Sequence, residues 1–273
     1  MDLQKWDGHT HGPYCKHGSS AAFDAYLTRA IELGFTRYSV TEHPPLPDRF
    51  TANPEVMKQL AMKEEELPHY FRNAWEVKSR FSERIDVRVG LELDYLYHHE
   101  QFTERLLTEY QDQIEDAIIS VHFLPGKQGM HCVDWDVQEI DRQLIRYYGS
   151  FERLIEVYFE HVHLALEQAR LFRIPVRLGH ATLFQKFKTA LPECDELVIT
   201  SHLLNVFEIL KDDGIGLDVN TACLDLETCA DVYPPLSLAS IAKEMGVACV
   251  FGSDAHQPRH VGRHWDAVQK ILG

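Results

Sequence analysis

Sixteen histidines in 273 residues are the outlier of this sequence, and many stand in short clusters with acids. The clusters are His9-Thr10-His11, Glu42-His43, Glu92-Leu93-Asp94, the single His122, Gly179-His180 and Asp254-Ala255-His256. Residues i and i+2 of a strand project to the same face, so His9 with His11 can bind one ion, and Asp254 with His256 can face one cavity. Imidazole and carboxylate donors suit Zn2+, Fe2+ or Mn2+, and the lack of cysteine ligands argues against a structural zinc knot. The chemistry to expect is that of divalent metals.

Such residues need strand ends to hold them. Short apolar runs at 3–8, 37–41, 87–93, 117–121, 176–179, 216–220 and 248–253 read as strands. Segments with helical periodicity fill 20–33, 54–83, 98–112, 137–171, 199–212, 237–245 and 263–272, and Gly34, Gly214 and Gly246 fall where helices should stop. Strand–helix alternation implies a parallel sheet. Seven units favour a closed or nearly closed (β/α) barrel, with a doubly wound open sheet as the alternative. Six of the seven strands then deliver a His or an acid to the carboxyl-terminal rim, where active sites form in both architectures.

Composition bounds the rest. The net charge of −15 and the absence of a Lys/Arg cluster argue against nucleic acid as a partner. No run of about 18 apolar residues offers a membrane span. The amino-terminal MDLQKWDGHT has no signal-peptide pattern. Cys15, Cys132, Cys194, Cys223, Cys229 and Cys249 lack CxxC spacing and read as reduced thiols of a cytoplasmic protein. No linker divides the chain, so residues 1–273 are expected to form one domain. His69, His98, His99, His161, His163, His202 and His264 fall in or beside helices and read as surface or packing residues. His161 and His163 repeat the HxH spelling on a helix, where i and i+2 diverge. Glu64–Glu66 reads as a solvated face, and Gly126–Gly129 lacks phosphate-loop spacing. His131, in the loop after His122, could line the site.

The motifs DGHTHGPYCKHG, TEHPP, GLELDY, ISVHFLPG, RLGHATLFQKF, DVNTACL and FGSDAHQPRHVGR run essentially end to end. Together they resemble the polymerase and histidinol phosphatase (PHP) family, in particular its monofunctional histidinol-phosphate phosphatases. The resemblance implies a distorted seven-stranded (β/α) barrel with three divalent ions (Zn, Fe or Mn) at its rim. It implies His9, His11, Glu92 and Asp254 around the first ion, with Glu92 bridging to a second held by His122 and His180. His17, His43 and His256 would hold the third, and Glu92, Asp254 and His256 would take part in catalysis.

The activity so implied is hydrolysis of L-histidinol phosphate to L-histidinol and phosphate in histidine biosynthesis. A hydroxide shared by two ions would attack phosphorus in line with the leaving oxygen. Alternatives are another small phosphomonoester or a nucleotide as substrate, a metal-dependent amidohydrolase, or a non-catalytic metal-binding protein. Phosphate also calls for a guanidinium, for which Arg177 and Arg259 are the candidates. Arg177 lies in an apolar strand and needs an anionic partner, but its parity opposes that of His180. Asp134, Asp136 and Asp225 could meet the substrate ammonium. In the resembled family the position of Asp225 is usually basic, a departure that bears on substrate preference.

Overall fold

The computed structural model describes residues 3–273. Seven parallel strands form its main sheet: β1 (Trp6–Asp7), β2 (Arg37–Glu42), β3 (Asp86–Asp94), β4 (Asp116–Ser120), β7 (Val176–Leu178), β8 (Gly216–Asn220) and β9 (Cys249–Gly252). They are hydrogen-bonded in that order. The sheet then curls until its edges meet. Gly8 N–H donates to Phe251 O at 2.8 Å, Asp254 N–H to His9 O at 2.8 Å, and His11 N–H to Ala255 O at 2.9 Å. The result is a nearly closed α/β barrel with its helices outside. β4 is buried along its whole length and β3 at all but Asp86 and Arg88, because a barrel strand is covered on both faces, by the barrel interior and by the outer helices.

The helices follow their caps. Ser150 opens Phe151–Ala169 by accepting from Arg153 N–H, and Asp195 opens Glu196–Asp213 by accepting from Leu197 N–H. Gly214 and Gly246 close their helices with left-handed φ of 67° and 99°. Two expected helices are broken. The 54–83 segment divides into Pro54–Leu60, a short turn at Glu64–Glu66 and Leu67–Phe81: the backbone is extended at Ala61 and Lys63, and Pro68 sits in the first turn of the last helix, where its missing N–H costs nothing. The 137–171 segment is interrupted at Gly149, whose φ of 92° ends one helical stretch before the Ser150 cap begins the next.

Between β4 and β7 an unexpected antiparallel hairpin joins β5 (Phe123–Gly126) to β6 (Gly129–Cys132). Its turn is the glycine-bounded Gly126–Gly129 stretch, with Gln128 at φ 67°. The cysteines also differ from expectation. Cys223 and Cys229 are joined by a disulfide, their Cα atoms 5.7 Å apart, because the chain turns back on itself at Leu226, whose carbonyl accepts from both Cys229 and Ala230. Cys15, Cys132, Cys194 and Cys249 are free thiols.

Candidate metal centre at the barrel rim

Glu92, near the end of β3, is 1% exposed and stands at the centre of the rim. Its Oε2 lies 3.1 Å from His9 Nε2, 3.3 Å from His11 Nε2 and 3.4 Å from His43 Nδ1. Its Oε1 lies 2.8 Å from His180 Nε2 and 3.6 Å from His122 Nε2, and accepts from Ser120 Oγ at 2.7 Å. A single carboxylate therefore faces five imidazoles delivered from the ends of four strands, β1, β2, β4 and β7. Asp254, just after β9, adds Oδ1 at 3.2 Å from His11 Nε2. A glycine is required beside it: a Cβ at Gly252 would collide with the Asp218 carboxylate and crowd His9.

Behind the imidazoles stand carboxylates that set their tautomers. Nδ1–H of His9 donates to Asp218 Oδ2 at 2.8 Å, and Nδ1–H of His122 to Asp94 Oδ1 at 2.6 Å. Both rings thus turn Nε2 toward Glu92, the orientation that metal-ligating histidines adopt. Glu42 accepts from the N–H groups of Gly12 and Tyr14, pinning the loop after His11. Asn220 Nδ2 donates to Asp254 Oδ2 at 3.1 Å.

The electrostatics are those of a cation site. Burial raises the Glu92 and Asp254 carboxyls, yet neighbouring histidines, His9 first, overcome it and hold both well below the usual range. Burial likewise opposes charge on His9 and His11, but the surrounding carboxylates push both well above the ordinary imidazole value. His43 and His256 go the other way, lowered by burial and then by the charge of His11.

Two observations test whether these residues fit a metal. His9 Nε2, His11 Nε2 and Asp254 Oδ1 are buried without a hydrogen-bond partner, although polar atoms in protein interiors are nearly always paired. At the rim, His256 Nε2 lies 2.8 Å from His17 Nε2. Both rings donate Nδ1–H to carbonyls, His256 to Asp254 O and His17 to Gln59 O, so two lone pairs point at each other. Burial disfavours a proton on either ring, so an added cation is what would reconcile them. The donor set fits divalent metals. The atoms group as His9, His11, Asp254, as Glu92, His122, His180, and as His11, Cys15, His43, His256.

The expected ligands His9, His11, His17, His43, Glu92, His122, His180, Asp254 and His256 are thus gathered in one region. Cys15, read from sequence as structural, joins the third group, though burial pushes its thiol up to about 12. His131 does not face the site; it is bound to Glu139 and to the Lys127 carbonyl.

Neither arginine expected to grip phosphate lines the cavity. Arg177 is buried toward the amino-terminal end of the strands, its two Nη atoms on Asp116 at 2.6 and 2.9 Å, with Nη2 also reaching Gly8 O and the Trp6 ring beneath. It is the partner of Asp116 inside the barrel, below the rim; His180 lies two residues past the end of β7, so the strand alternation that set the two on opposite sides does not hold. Arg259 lies beside the first helix (Phe23–Glu32), in an outer depression with Asp24 and Glu32. The cations that do line the cavity, whose volume is about 300 Å3, are Lys186 and Arg263. Lys186 donates to Asp134 Oδ2 and to its carbonyl, both at 2.8 Å. The sequence signal for both was present, in LFQKF and in VGR, but neither lies at a strand end.

Residues 7–222 match the PHP domain and residues 238–270 a PHP-associated segment. The chain is 33% identical over 265 residues to the histidinol-phosphatase of Bacillus subtilis strain 168, covering 97% of this chain and 98% of that protein. A crystal structure from Listeria monocytogenes, assigned as a histidinol phosphatase, superposes with a TM-score of 0.90 at 33% identity over 96% of this chain and 99% of its own. A second, from Lactococcus lactis subsp. lactis Il1403, is a histidinol phosphate phosphatase complexed with Zn, L-histidinol and phosphate; it shares the fold at a TM-score of 0.72 and 17% identity, covering 99% and 94%. A PHP domain match over most of its length and a one-third-identical relative spanning it end to end agree with the barrel just described: the chain belongs to the PHP domain family.

Proposed function

We propose that the protein is a metal-dependent phosphomonoesterase that hydrolyses L-histidinol phosphate to L-histidinol and phosphate. The observation that carries this reading is the ring of imidazoles around Glu92, in a chain one-third identical over nearly its whole length to a curated histidinol-phosphatase. Divalent ions held there would supply Lewis acidity, lowering the pKa of water and neutralising phosphoryl charge.

His9, His11, Glu92 and Asp254 would hold the first ion, Glu92, His122 and His180 a second, and His17, His43 and His256 a third. Zn, Fe and Mn all suit these donors. Glu92 and Asp254, held ionised by their histidines, fix the reacting groups in place. His256, at the open edge, would serve the third ion through Nε2, its Nδ1–H held by the Asp254 carbonyl. Lys186 offers a charge for the phosphate, and Asp134 keeps that ammonium at the cavity wall. Leu183, Phe123 and Tyr233 also line the cavity and would give the substrate ring an apolar surface.

The barrel needs β9, from the PHP-associated segment, to close against β1, so we read residues 1–273 as one functional domain. Among the described residues no helix is long and apolar enough to cross a membrane, which suits a cytoplasmic enzyme acting on a small soluble substrate.

The test is phosphate release by metal-reconstituted protein from L-histidinol phosphate beside a panel of phosphomonoesters. A kcat/KM for histidinol phosphate far above the panel, lost in His9→Ala, is the expected result. A flat, low profile would retire the biosynthetic assignment.

A further inference from the structure

Asp254 is a metal-site residue in a backbone conformation that L-residues seldom adopt. Its φ is 50°, and no glycine supplies that freedom. Such a conformation is strained and persists only where the surroundings over-determine it. The surroundings here are specific. Arg263 Nε–H donates to Ser253 O at 2.7 Å, and Nη2–H to Asp254 O at 3.1 Å, so one guanidinium spans the two carbonyls of this turn. Asp7 acts from the other side: its carboxylate accepts from Ser253 N–H and from Gly262 N–H, both at 2.9 Å. Gly262 brings Arg263 in with φ 68°, and a Cβ there would strike the Phe35 ring.

The third side of the guanidinium meets Asp225, whose Oδ2 accepts from Nη1 at 3.0 Å, while Oδ1 accepts from His264 Nε2 at 2.6 Å. Asp225 thus has a task that a basic residue could not perform. The fork geometry matters as much as the charge, since an ammonium cannot span two carbonyls and a carboxylate in one plane.

We propose that Arg263, anchored by Asp225, is a positioning residue that holds Asp254 in its left-handed turn, and so sets the affinity of the ion shared by His9, His11 and Asp254. The proposal rests on the metal-site reading above, not on the identity of the substrate. Arg263 acts on the site through main-chain carbonyls: three of its five N–H donors are engaged by Ser253 O, Asp254 O and Asp225, and metal retention read beside KM separates this role from a phosphate grip.

The experiment measures metal retention directly. Wild type, Arg263→Gln, Arg263→Lys and Asp225→Asn are loaded with Mn2+ or Zn2+, and metal content is followed against a competing chelator. In parallel, kcat and KM are measured on L-histidinol phosphate. Loss of an orienting group behind a metal ligand typically weakens metal affinity about 10–100-fold. Arg263→Gln is expected in that range for one ion, with Arg263→Lys and Asp225→Asn intermediate and KM little changed at saturating metal. Asp225 is exposed, so Asp225→Asn keeps the test valid should the Arg263 variants fold poorly. Unchanged metal retention in all variants overturns the proposal, and a raised KM with unchanged retention does so in favour of a substrate contact. A wild type that binds metal but spares histidinol phosphate would retire the substrate assignment alone.

Discussion

Asp218 Oδ2 lies 2.8 Å from His9 Nδ1, both side chains fully buried. The carboxylate accepts only, so the ring must carry its proton on Nδ1 and offer Nε2 to the space shared with Glu92 and Asp254. The fold thus chooses the tautomer before any metal arrives. Asp94 does the same for His122 from a neighbouring strand.

Asp218→Asn is therefore expected to weaken metal retention and activity together, by about 10–100-fold. The amide can present its NH2 to Nδ1 and stabilise the other tautomer, which buries the proton where the ion must go. Metal analysis after dialysis, beside kcat on reloaded protein, checks this. Full activity with unaltered metal content would remove Asp218 from the site.

Arg177→Met separates a structural arginine from a phosphate ligand. Breaking a buried ion pair leaves an uncompensated charge, here Asp116, at a cost of about 3–5 kcal/mol. Chemical denaturation should show that loss, with KM for histidinol phosphate unchanged in the protein that remains folded. Replacing Asp116 with Leu in the same protein should recover much of the stability. A rise in KM without destabilisation would return Arg177 to the substrate.

The contrast between Arg177 and Lys186 explains what the sequence could disclose. Strand ends are legible because alternation, turn residues and His/acid pairs coincide there. His9, His11, Glu92, His122, His180 and Asp254 could accordingly be placed on one rim by spacing alone. Lys186 sits in a run of short helical turns, Leu183–Ala190, and Arg263 follows a left-handed glycine; neither position has a period that fixes its direction. Arg177 was ambiguous because alternation set it opposite to His180 while its charge demanded an anion, and only the pairing of β4 with β7 brings Asp116 within reach. The hairpin at Phe123–Cys132 was not legible because its strands, FLPG and GMHC, are only four residues long and carry Pro and Gly, too short for an alternation to stand out.

Lys186→Met should raise KM for histidinol phosphate and lower kcat/KM by about 10–100-fold, the worth of a charge-assisted hydrogen bond. Metal content should be unchanged, because Lys186 contacts Asp134 and no candidate ligand. Lys186→Arg is expected to recover part of the loss. The affinity for inorganic phosphate as an inhibitor, measured across the three proteins, should follow the same order. If phosphate inhibits all three equally, Lys186 serves only to neutralise Asp134.

His161 gives the acid side of stability a handle away from the metal centre. It is buried in the helix Phe151–Ala169, packed edge-on against Tyr97, with Nδ1–H donating to Val157 O and Nε2 unpaired. Burial lowers its pKa below 6.5, and the Val157 carbonyl only partly opposes that. The unfolded chain therefore binds a proton at His161 as pH falls through about 6.5, while the folded chain resists until the depressed value is reached. Stability from this residue is fully present above 6.5 and is lost across that window. His161→Phe keeps a planar ring and cannot titrate. The stability of the wild type relative to this variant should fall between pH 7 and pH 5, by at most about 1.4 kcal/mol per pH unit. Titrating groups common to both proteins, including the metal-site histidines, cancel in the comparison. Parallel stability curves for the two proteins, from denaturant unfolding at pH 7, 6 and 5, would mean that His161 takes up its proton in the folded state as readily as in the unfolded chain.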